Sequence, residues 1–249
     1  MPSPRALLKF EMTLDLGDRL APATLCVNRR AKRLIVKVDA ISGRILVTAP
    51  SKRAVPEALR FAQTRAPWIK LRLAEGGAAR PFFDGGVCPF RGVPHRVVNE
   101  GSSRAPVRLA EGAPPSIFIG GEPAHLNRRL VDWLKREAHK ALDERAHFHA
   151  AKLGMKITRI SLRDTRSRWG SCSRNRALSF SWRLILAPPE ILDSVAAHEC
   201  AHLVHLDHSP AFWRTVASLG VDEDACRLWL EAHGGALHAW GVEPAKKAA

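Results

Sequence analysis

The run His198-Glu199-Cys200-Ala201-His202 constrains this chain more than any other stretch, because its two imidazoles can serve one ion only if the backbone between them is helical. On an α-helix, residues four apart lie on one face. Glu199 projects about 100° further round and is free to take a proton from water beside the ion rather than ligate it. The spacing predicts a helix over 189–206, opened by Pro188-Pro189-Glu190, since proline is well tolerated in a first turn. Ile191 and Val195 run as an apolar stripe into His198 and His202, so the imidazoles face a core, where an unliganded pair is costly to desolvate.

A tetrahedral site with an open position needs a third protein ligand. His208 completes the spacing His198-x3-His202-x5-His208 and falls on the turn before the helix start Ser209-Pro210. Its rivals are Glu223 and Glu231, on a helix that Asp222 should cap and Gly234-Gly235 should close. His205 points partly off the ligand face and reads as a neighbouring or substrate contact, while Asp207 could orient a ligand ring. Three imidazoles favour Zn2+ over magnesium or calcium, with manganese, cobalt or nickel able to occupy the same site.

The rest of the chain reads as α+β. Residues 24–28, 34–38 and 44–48 are β-rich runs, the last two joined by a turn at Ser42-Gly43. A helical pattern over 54–73 is kinked or split by Pro67 and ended by Gly76-Gly77. Strand candidates follow at 87–91, 95–98, 106–109 and 116–119. Gly120-Gly121-Glu122-Pro123 is the strongest boundary signal. It divides a strand-rich N-terminal region (1–121) from a metal-binding domain (122–235) and a loose tail (236–249). Within that domain a long helix is expected from Leu126 to about Gly154, then strands at 156–163 and 177–184 around a polar loop. No internal repeat is evident.

Five cysteines with no C-x-x-C pair argue against a disulfide framework or an all-cysteine zinc site. The first fifteen residues lack a signal-peptide pattern, and no apolar run approaches the roughly 18 residues of a membrane span. A cytoplasmic protein is expected. The net charge of +15 is unevenly placed: residues 156–183 hold eight basic side chains and one acidic, whereas 184–249 hold four and nine. Such a basic segment suits a polyanionic partner, nucleotide or nucleic acid, or an acidic substrate.

The segments RWGSCS (168–173), SWRLILAPPE (181–190) and HECAHLVHLDHSPAFW (198–213) resemble the YgjP-like metallopeptidase family, which is similar to the SprT-like and WLM proteases in its metal-binding core. The resemblance implies a minimal zincin-like core, with His198, His202 and His208 as ligands and Glu199 as catalytic base. It is not a metzincin: His205 stands where that class has its glycine, and no methionine follows Met155.

These readings point to a zinc-dependent hydrolase, with a peptide as the leading substrate. A tetrahedral oxyanion needs a donor besides the metal. The chain has no tyrosine, so Arg168, Arg183, Asn175 and His205 are the candidates. Strand 156–163 could offer an edge to an extended peptide, and Trp169, Trp182 and Trp213 are candidate pocket walls, each better explained as core. A nucleotide pyrophosphohydrolase is the alternative that the arginine-rich surroundings allow. A basic nucleic-acid-binding protein with a structural zinc is a third, against which Glu199 counts, since a closed site needs no base.

Overall fold

Ile45, Val47 and Ala49 are buried along β4 (Arg44–Ala49), which lies inside a four-stranded sheet with β1 (Leu8–Asp15), β2 (Leu20–Val27) and β3 (Ile35–Asp39), in the order β1-β2-β4-β3. This is a computed structural model, and it describes residues 8–39, 43–75, 79–101 and 105–243. The expected Gly76-Gly77 stop and Ser42 lie outside those residues, as do residues 1–7 of the N-terminus. Two helices, α1 (Val55–Thr64) and α2 (Ala66–Glu75), cover the sheet with Ala58, Ala62, Ala66 and Ile69. The split falls where Pro67 predicts it. That residue occupies the first turn of α2, where its missing N–H breaks no helical bond.

The chain forms two compact units, Met1–Ala78 and Ala79–Ala249. The second opens with another four-stranded sheet, β5 (Val87–Phe90), β6 (Val93–Asn99), β7 (Arg108–Ala110) and β8 (Ser116–Ile119), in the order β5-β6-β8-β7. Both sheets share one plan. The first two strands are antiparallel, the second and fourth parallel, the third and fourth antiparallel, and a helix follows. This repeat of topology leaves no visible trace in the sequence.

The boundary expected at 120–123 therefore lies within the second unit. Phe90, Val97, Ile117 and Ile119 share one core with Leu126, Leu130, Trp133 and Leu134 of α3 (Leu126–Lys152). The glycines and proline mark a real turn, but an apolar sheet face must be covered, and the α3 stripe covers it.

Beyond α3, β9 (Arg159–Arg163), β10 (Gly170–Cys172) and β11 (Ala177–Ser181) form a three-stranded sheet in the order β10-β11-β9. A 3-10 segment, Trp182–Leu186, leads into α4 (Pro189–Ala201), followed by α5 (Pro210–Ser218) and α6 (Glu223–Leu237). The α4 helix stops at Ala201, with His202 at its C-cap, shorter than the expected 189–206. In contrast, α6 continues through Gly234-Gly235. Gly234 is required there, because a Cβ would approach the Trp169 ring to 2.9 Å. Residues 237–240 are not loose: Leu237 and Ala239 are buried, and Arg183 binds the carbonyls of Leu237 and Trp240. Residues 244–249 lie outside the described residues. No described helix is long and apolar enough to cross a membrane.

Candidate metal centre

α4 is held in place from behind. Arg145 of α3 makes a two-pronged bond to Asp193, which also accepts from the buried His149 at 2.6 Å, and Cys200 Sγ donates to the Ala146 carbonyl at 3.3 Å. With that face packed on α3, the face bearing His198 and His202 turns toward the α4–α5 turn. There Ser209 caps α5 by accepting from the Phe212 N–H, and the turn folds His208 back over the helix. One ligand atom from each of His198, His202 and His208 lies within 4.8 Å of the others.

Ring orientation shows that the three fit a metal ion. The Nδ1–H of His198 donates to Glu223 Oε1 at 3.1 Å, and that of His202 donates to the His205 carbonyl at 2.9 Å. Both rings therefore present a bare Nε2. His198 Nε2 and His208 Nε2 stand 3.2 Å apart, close to the spacing of about 3.3 Å that tetrahedral zinc–nitrogen bonds impose on two ligands. Phe212 is fully buried beneath them, its ring 4.5–5.0 Å from all three imidazoles, and Trp213, 43% exposed, forms a wall beside His198 and His208.

Glu199 sits next to this cluster, only 6% exposed, and its Oε2 is buried without a hydrogen-bond partner. Burial pushes its carboxyl up to about 7; His198 and Arg168 pull it down, and Glu223 pushes it up. A carboxyl poised there exchanges protons readily near neutrality. For His198 burial acts downward, but the bond to Glu223 and that residue's charge outweigh it and the net shift is upward. Burial lowers His202. The thiols are not ligands in waiting, since burial pushes Cys172 up to about 11 and Cys200 to about 12.

Several expected site residues lie elsewhere. Arg183 is buried away from solvent: it is 4% exposed, holding Asp164 at 2.7 Å and the carbonyls of Leu237, the last residue of α6, and of Trp240. Nothing in the sequence distinguishes this buried arginine from its exposed neighbours. The His205 ring bonds Thr215 Oγ1 at 3.1 Å, and its backbone carbonyl, not its ring, serves the centre. Asp207 bonds Ser209 instead of a ligand ring. Asn175 is on the β10–β11 turn, its carbonyl accepting from Thr158. Glu231 pairs with Arg227 on an exposed face. Glu223 reaches the cluster, but behind His198, accepting from its ring and from Ser194 Oγ at 3.2 Å. Trp182 is core and Trp169 stacks on His238. Arg168 remains, exposed and close enough to Glu199 for its charge to act there.

The polar loop expected over 164–176 contains a short strand, β10. Gly170 of β10 lies against Glu199 so tightly that a Cβ would come within 2.5 Å of Cγ and Oε1. Three residues of strand are too few for an alternation signal, so only the unexplained glycine hinted at them.

A histidine-lined position with a poised carboxylate on the same helix defines a metal-dependent hydrolase class of site. The sequence places the chain within that class more narrowly. The model of the YgjP-like metallopeptidase domain matches residues 32–233, and the chain belongs to that family. Comparison with curated proteins and with solved structures gives no match.

Proposed function

We propose that this protein is a zinc-dependent peptidase in which His198, His202 and His208 hold the ion and Glu199 is the general base. The observation that carries this reading is the buried, unpartnered Oε2 of Glu199 beside three converging imidazoles, an arrangement costly to a fold that makes no use of it. Zinc in such a position supplies Lewis-acid activation of water and of a substrate carbonyl. Glu199 accepts the proton of the attacking water and returns it to the leaving amine. Arg168 offers positive charge for the developing oxyanion.

The peptide enters along β10. This strand ends the order β10-β11-β9, so one side of it pairs with no other strand among the described residues, and it passes directly over Glu199. β9, expected to provide the edge, is at the opposite end of the sheet. An extended chain paired with β10 brings a scissile carbonyl to the base by main-chain bonds alone. A phosphoanhydride substrate is less well served, since Arg183 is committed to the fold.

Replacing Glu199 by Gln should leave zinc stoichiometry unchanged and abolish cleavage of a casein digest. Nucleoside triphosphates, assayed in parallel, should be left intact by the wild type. Peptide turnover surviving in Glu199→Gln would overturn the assignment.

A further inference from the structure

Among the described residues, a cluster of exposed cations remote in sequence from the histidine cluster lies at one end of the first sheet. β2 and β4 run parallel, with Val27 opposite Ala49, so both deliver the chain to the same end. To reach β3, whose first residue Ile35 pairs with Thr48, the chain must arch over the end of β4. The arch carries Arg29, Arg30, Lys32 and Arg33, and the segment leaving β4 toward α1 carries Lys52 and Arg53. A backbone bond from Asn28 N to the Ala49 carbonyl, 2.9 Å long, ties the two segments together. All six cations are exposed, and among the described residues none forms an ion pair. The two segments themselves, residues 28–34 and 50–54, contain no carboxylate.

The second sheet is an internal comparison. Its topology is the same, but the loop leaving its second strand begins with Glu100, which pairs with Arg108, and Glu122 follows β8. The shared topology therefore does not demand a basic end. Self-repulsion among six crowded cations persists at a cost unless a partner neutralises it.

We propose that this end of the first unit docks on the phosphate backbone of a nucleic-acid duplex, without base preference. Four of the six cations are arginines, whose planar fork matches phosphate oxygens. The two segments carry no aromatic or large aliphatic side chain at their tips to stack on bases or anchor in a bilayer, and the Asn28 side chain is engaged by the Arg30 N–H. Such a surface reads charge spacing alone.

The test is fluorescence anisotropy of the full chain with short labelled DNA duplexes over a range of potassium chloride, beside vesicles rich in phosphatidylserine. With all six cations replaced by Gln, duplex affinity at low salt should fall by at least about thirty-fold. The slope of log K against log salt should shrink by about 3–5, as each neutralised phosphate contributes about 0.9. The pairs Arg29→Gln/Arg30→Gln and Lys52→Gln/Arg53→Gln should each remove part of that slope, which keeps the test valid if the sixfold variant folds poorly. Duplexes of scrambled sequence should bind alike. The proposal fails if the slope is unchanged, or if only Lys156→Gln/Arg159→Gln/Arg174→Gln/Arg176→Gln loses binding. It fails equally if vesicles bind and duplexes do not.

Discussion

At the scale of single residues, Glu199 carries an unusual protonation. Its carboxyl, pushed up to about 7 from an ordinary 4.5, is protonated in the metal-free fold where the unfolded chain would be ionised. Between those values the folded state binds the extra proton, so its stability falls as pH rises, and the loss levels off above about 7. Glu199→Gln carries no such penalty. In chelator-treated protein the variant should match the wild type near pH 4.5 and exceed it by about 3 kcal/mol above pH 7, read by urea unfolding at several pH values. A pH-independent difference would contradict the buried carboxyl. Glu223 acts one step further out, through His198 Nδ1 and Ser194. Glu223→Ala should weaken zinc binding by about 10–100-fold, measured by competition with a chromogenic chelator. Unaltered affinity would make its bond to His198 incidental.

At the scale of elements, the site is the crossing of α4 and β10 over the α4–α5 turn. The helix and its C-cap supply Glu199 and two imidazoles, the turn supplies the third, and the strand closes over Glu199. Gly170 lies where helix and strand come closest. Gly170→Ala forces a Cβ into the Glu199 side chain, so either β10 lifts or the carboxylate swings aside. Peptide cleavage should fall by about a hundredfold or more, while zinc stoichiometry is retained because the atoms that Cβ meets first belong to Glu199 and not to an imidazole. Normal turnover in that variant would show that β10 can move without consequence. Arg183 serves the same assembly differently, pinning the end of α6 and Trp240 to the 3-10 segment that leads into α4. Its burial is invisible in the sequence, which states a charge but not whether water reaches it.

At the scale of the whole chain there are two hydrophobic cores, one in each unit, and only the second holds the candidate ligands. Calorimetry should resolve two transitions. Zinc at about a thousand times its dissociation constant should stabilise the second unit by about 4 kcal/mol, raising one melting temperature and leaving the other in place. A single transition shifting as a whole would mean the units unfold together. The net charge of +15 belongs to this scale too, the exposed cations of the first unit adding to those of the 156–183 segment.

The sequence by itself determined that His198 and His202 share one face of α4 with Glu199 beside them, the third histidine's place on a turn, and the proline split between α1 and α2. Each depends on neighbours within a few residues, where helical periodicity and capping chemistry act. Only the tertiary structure decided that residues 79–121 join the helical core, that Arg183 is buried, that Glu223 stands behind His198 and that Gly170 lies over Glu199. Those follow from which surfaces meet, and contact between segments far apart in sequence is settled by packing rather than by local pattern.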